Sequence, residues 1–119
     1  MRTPAKSFRD LEVWQRAHSF VLGVYALTRT FPREERFGLT NQFRRAAVSI
    51  PANIAEGFRK YSEADKARFF NVSEGSLEEC RYYCLLAQDL GYGSTNDLQQ
   101  CLDAIGLQLS AYVRRIREA

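Results

Sequence analysis

A chain of 119 residues with 45% hydrophobic and 26% charged side chains has the composition of one globular domain, residues 1–119, and it holds only three prolines to interrupt it. It can bury about two-thirds of the surface its unfolded form exposes. No run of about 18 apolar residues occurs, which excludes a membrane-spanning helix, and a net charge of +3 permits contact with nucleic acid without demanding it. The basic residues within Met1–Lys6 are not followed by an apolar secretory segment, and Trp14–Leu27 is interrupted by Gln15, Arg16 and His18. Three cysteines, an odd number, fit a reducing compartment better than a disulfide framework, so a cytoplasmic protein is expected.

Residues 1–7 read as a loose tail. The first helix is predicted from Arg9 or Asp10 to Thr30, with Asp10 as its N-terminal cap. Two interleaved stripes follow, one through Val13, Ala17, Phe20, Val24, Leu27 and Phe31, the other through Leu11, Trp14, Val21 and Tyr25. Together they cover roughly 200° of the helix surface, where a bundle helix needs little more than about 100°. The excess suggests either a second subunit or a helix buried centrally within one chain. Phe31–Gly38 is a charged turn opened by Pro32.

The second helix carries the stretch around which the chain is organised, Phe37–Phe58. Leu39, Phe43, Ala46, Ala47, Ile50, Ile54 and Phe58 recur in steps of three and four. Pro51 lies in their midst and should kink the helix, because it has no N–H and its ring meets the carbonyl of Ala47. Since the apolar period stays in phase through Pro51, one kinked helix to about Arg59 is expected rather than two. Ser62, with Asp65 three residues on, then makes a variant capping box.

The third helix is predicted from Glu63 to Leu90 on the seam Phe70, Ser73, Leu77, Cys80, Cys84 and Ala87. Gly75, costing about 1 kcal/mol relative to alanine, suggests close packing there. Gly91 and Gly93 stop this helix, and Thr95 or Asn96 should cap the fourth, which runs to about Arg117 on Leu98, Leu102, Ile105, Leu109, Tyr112 and Ile116, with Leu107 as an outlier. Four helices with short loops and no strand-like alternation give an all-α, up-down-up-down four-helix bundle.

RRAAVSIPANIAEGF at residues 44–58, with VWQ at 13–15, FP at 31–32 and GSLEE at 75–79, resembles the four-helix bundle protein family, also called the intervening-sequence proteins of large-subunit ribosomal RNA genes. The resemblance spans about Phe8–Arg115. It implies an all-helical subunit of a five-membered ring, without known enzyme activity or cofactor and with a poorly defined cellular role. A related accessory protein of diversity-generating retroelements binds nucleic acid and a reverse transcriptase.

Chemistry-bearing residues are sparse. His18 is the only histidine and has no acid three or four residues on to orient it, so a catalytic base is not expected there. Cys80, Cys84, Cys101 and His18 have the types for a tetrahedral zinc site, but the cysteines sit in an apolar stripe and are expected to be free, buried and without metal. No glutamate has a histidine three residues on, as a di-iron bundle requires. Arg45, Ser49, Ala52 and Glu56 share one strip of the second helix, with Asn53 beside it: either a solvated face, or a polar subunit interface or pore lining.

Basic residues gather at Arg44/Arg45, Arg59/Lys60, Lys66/Arg68 and Arg114/Arg115/Arg117, and FRKYSEADKARFF mixes them with aromatic rings. That composition suits a nucleic-acid contact and also an ordinary helix end. The expectation is a non-catalytic homopentameric scaffold or adaptor that binds RNA or DNA through phosphates at Arg44, Arg45, Arg59 and Lys60, with a protein partner as a further possibility. The alternative is an enzyme or small-ligand binder with a site at a subunit boundary, around His18 or Glu56. A membrane-surface role is disfavoured, because the fourth helix lacks a Lys/Arg-rich polar face along its length.

Overall fold

The computed structural model describes residues 4–118 and contains four α-helices: α1 (Glu12–Thr28), α2 (Leu39–Arg59), α3 (Glu63–Asp89) and α4 (Asn96–Glu118). Each helix packs on two neighbours, in the cyclic order α1, α2, α3, α4, and side chains keep the diagonal pairs apart. Neighbours run antiparallel. Along α2 and α3, Ile50 O accepts from Ser73 Oγ at 2.9 Å, and Gln42 Oε1 accepts from Tyr83 Oη at 3.1 Å. Arg81 pairs with Asp103 while the Phe70 and Tyr112 rings lie 6.1 Å apart, which reverses α4 on α3. All six seam residues of α3 are buried, as are Leu102, Ile105 and Leu109 of α4; Val113, which the stripe did not include, is buried too, whereas Leu98, Tyr112 and Ile116 are half-buried.

The helix starts differ from expectation at two places. Asp10 does not cap α1. It closes a single 3-10 turn, Phe8–Asp10, whose cap is Ser7: Ser7 Oγ accepts from Arg9 N at 3.0 Å, and the Asp10 carboxylate accepts from the amides of Ser7 at 3.2 Å and Lys6 at 2.9 Å. Leu11 is then extended and α1 begins at Glu12, so Lys6 and Ser7 are tied down rather than loose; residues 1–3 of the expected tail lie outside the described residues. Thr95 precedes α4, but its hydroxyl is directed across to α3, donating to Cys84 O at 3.0 Å and Gln88 Oε1 at 2.8 Å. The turn before α2 caps itself through Glu35, whose Oε1 accepts from Leu39 N at 3.2 Å while Oε2 takes the Tyr92 hydroxyl at 2.7 Å. One acidic side chain thus satisfies an orphan amide of α2 and joins the two loops at that end.

α2 continues without interruption through Pro51, which is buried. The proline cannot donate to Ala47 O. Around it α2 is tied to α3 by the Ser73 bond to Ile50 O and by Ser76 Oγ, which donates to Ser49 Oγ at 2.8 Å, while within α2 Asn53 Nδ2 donates to Ser49 O at 2.8 Å. Small hydroxyl side chains at the seam let the two helices approach closely enough for these bonds.

The glycines divide sharply. A Cβ on Gly57 would sit 2.9 Å from the Phe70 ring, so this residue is where α3 crosses tightly over the end of α2. A Cβ on Gly75 would meet nothing within 4 Å; its face is open, and close packing within the chain is not the reason for it. The broad apolar arc of α1 is largely absorbed within the chain. Trp14 stacks on His18 and meets the tilted ring of Phe8, Tyr25 lies under Arg44, and Leu27 packs against the core. Among the helices, the exposed large apolar side chains are Leu22 on α1, Val48 on α2, Val72, Tyr82 and Leu85 on α3, and Leu107 on α4.

Candidate nucleic-acid interface

The α2–α3 corner is built by the sequence FRKYSEADKARFF. α2 ends when Lys60 turns extended, and Lys66 Nζ reaches back to Phe58 O at 2.7 Å, placing a cation on the carbonyl end of the helix. Ser62 Oγ then accepts from Asp65 N at 3.1 Å and starts α3, as the sequence predicts. A three-residue connection results, and it crowds cations onto rings. The Arg59 guanidinium lies 5.2 Å from the Tyr61 ring centre; Lys60 Nζ and the Arg68 guanidinium lie 4.9 and 5.0 Å from that of Phe69. Arg68 also pairs with Asp65 at 3.2 Å, an exposed pair of little energetic weight.

The four residues expected to contact nucleic acid do not form one site. Arg59 is exposed and Lys60 half-buried, and both lie at the corner. Arg44 and Arg45 sit about 20 Å back along α2 at 1.5 Å per residue. Arg44 is engaged in packing: its Nε donates to Thr28 Oγ1 at 2.8 Å, and its guanidinium covers Tyr25 with 4.5 Å to the ring centre. Arg45 is exposed beside the α2–α3 groove, near Ser49, Ser76 and Glu79. Reasoning from sequence did not single out Tyr61, whose ring is 86% exposed. The aromatic interleaving of the corner was the available signal, but exposure cannot be read from spacing.

The residues considered for chemistry are scattered. His18 is exposed and stacked on Trp14, with ring centres 5.1 Å apart and planes 6° from parallel. Glu56 is exposed on α2. Cys80 and Cys84 are free and buried; burial pushes both thiols up, Cys84 to about 11. Cys101 is free and half-buried, with its Sγ 3.7 Å from Arg16 O, and burial raises it as well. Among the described residues no group of three or more His, Cys, Asp or Glu side chains could hold a metal ion, and no helix is long and apolar enough to cross a membrane.

Fold and surface together define a small all-α bundle with a filled apolar core, whose distinctive groups lie on its outside. The chain belongs to the 23S rRNA-intervening sequence protein family, whose model matches residues 9–110. It is similar in fold to a crystal structure of a protein of unknown function from the S23 ribosomal protein family of Bacteroides thetaiotaomicron, with a TM-score of 0.71, 20% identity, and coverage of 90% of this chain and 96% of that one. Among curated proteins none matches the chain.

Proposed function

We propose that this protein is a non-catalytic, self-associating scaffold that contacts RNA or DNA through phosphates rather than base edges. The observation that carries the reading is the location of its contact-forming groups: cations without a carboxylate partner among the described residues, large rings such as Tyr61 and apolar side chains such as Tyr82 and Leu85 stand on the outer surface, over an interior closed by large apolar residues. A surface of this kind works by contact. Val72, Tyr82 and Leu85 along the outer side of α3, beside the open Gly75, supply a face on which another copy can pack, and the family resemblance suggests five copies in a ring. Repetition around an axis would multiply the +3 charge of each chain.

Phosphate contact is supported by Arg59 and Lys60, which project at the corner without a carboxylate partner among the described residues. Guanidinium groups offer forked donors to phosphate oxygens. Binding of this type is weakly sequence-selective and falls steeply with salt. Fluorescence anisotropy at two salt concentrations tests it. Replacing both Arg59 and Lys60 by alanine should weaken binding to all sequences about equally and flatten the salt slope; absence of binding at low salt, or an unaffected double variant, would refute it.

A further inference from the structure

The antiparallel topology sorts charge along the bundle. One end is formed where α1 begins, α2 stops, α3 begins and α4 stops. Its segments, residues 4–12, 56–68 and 112–118, hold nine Lys and Arg against six Asp and Glu. The opposite end, residues 28–38 and 88–98, holds three against four. Three basic clusters that are far apart in the chain therefore meet at one end. A line of contacts joins the second and third: Gly57 lies against Phe70, Phe70 against Tyr112 at 6.1 Å between ring centres, and the Arg115 guanidinium covers Tyr112 at 5.0 Å, while Lys6 of the first lines one hollow with Tyr112 and Arg115. Among the described residues no carboxylate lies within 4.0 Å of Arg59, Lys60, Arg114 or Arg115.

We propose that this basic end binds single-stranded nucleic acid, with phosphates on Arg59, Lys60 and Arg114 and an unpaired base stacked on Tyr61. The proposal rests on the reading that the protein contacts RNA or DNA, and it adds the location and the strandedness. Tyr61 decides the second point. It stands on the three-residue connection with 86% of its surface exposed, an unusual position for a large ring that is not covered by the chain. The Arg59 guanidinium lies over this ring, 5.2 Å from its centre. A solvent-facing ring beside backbone-binding cations is how proteins hold single strands, because every unpaired base offers a π face and stacking tolerates any sequence. A duplex keeps its base faces stacked inside and gives Tyr61 nothing to meet.

The test is fluorescence anisotropy with a labelled oligouridine, an oligothymidine and a blunt duplex of equal length, using the full-length chain. Phe37→Ala is the control, since Phe37 is an equally exposed ring, at 85%, beside Arg36 at the opposite end. Single strands should bind at least about tenfold more tightly than duplex. Tyr61→Ala should lose about fivefold or more of single-strand affinity and leave duplex binding unchanged. Arg114→Ala should weaken both and reduce the salt dependence, and Phe37→Ala should change nothing. Circular dichroism of each variant establishes that the helices are intact. Equal binding of duplex with a silent Tyr61→Ala, or equal losses in Tyr61→Ala and Phe37→Ala, would overturn the inference while leaving phosphate contact standing. Absence of binding to all three probes at low salt would overturn both.

Discussion

Gly57 and Gly75 are the same residue type in neighbouring helices with opposite reasons for being there. An alanine methyl at Gly57 runs into the Phe70 ring at 2.9 Å, and overpacking of that kind costs about 1–3 kcal/mol. At Gly75 there is open space, so alanine should stabilise the fold by about 1 kcal/mol through helix propensity alone. Urea titrations of the two variants check the pair; a destabilised Gly75→Ala would mean that this face is covered in solution. Sequence suggested close packing at Gly75, because a glycine's neighbours across a bundle are not encoded in its own period. The cysteines give a pH effect. An unfolded thiol ionises at about 8.5, whereas burial holds Cys84 up to about 11. The folded state keeps the proton that the unfolded state loses, so this contribution is full below about pH 8.5 and is lost as pH rises toward the folded value. The urea midpoint should fall over that window in the wild type, and part of the fall should be missing in Cys84→Ala.

At the scale of elements, much of the fold was legible because apolar spacing fixes a helix and its buried face together. The seam of α3 is buried residue for residue, and the in-phase pattern through Pro51 marked α2 as one helix. Start points were less legible. Asp10 has a capping side chain, but Ser7 captures it in a separate turn, and which of two nearby polar residues closes a turn depends on backbone angles that spacing does not report. Arg44 is similar: its partners Thr28 and Tyr25 lie on another helix, so the sequence could present it only as a free cation. Arg44→Ala should therefore cost about 1–2 kcal/mol, from a charged hydrogen bond and a ring contact, while Arg45→Ala should stay within about 0.5 kcal/mol. Thermal unfolding of the two variants distinguishes them. Pro51→Ala restores an amide donor for Ala47 O; its helicity by circular dichroism should be retained, and assembly should suffer more than local structure.

For the whole molecule, the gathering of basic clusters at one end follows from helix direction and could be assembled only once the helices were placed. The apolar arc of α1, which pointed to a partner in the sequence, turned out to be occupied by Phe8, His18 and Arg44 of the same chain. The case for association now rests on the outer side of α3, where Tyr82 and Leu85 remain more than half exposed. Self-association is the central claim, because repetition of the basic end around an axis is what would make a mild charge an effective one. Light scattering coupled to size exclusion at micromolar concentration measures it directly. The account predicts a mass of about five times the 13.7 kDa chain, reduced by Tyr82→Glu; a single species of 13.7 kDa would contradict it.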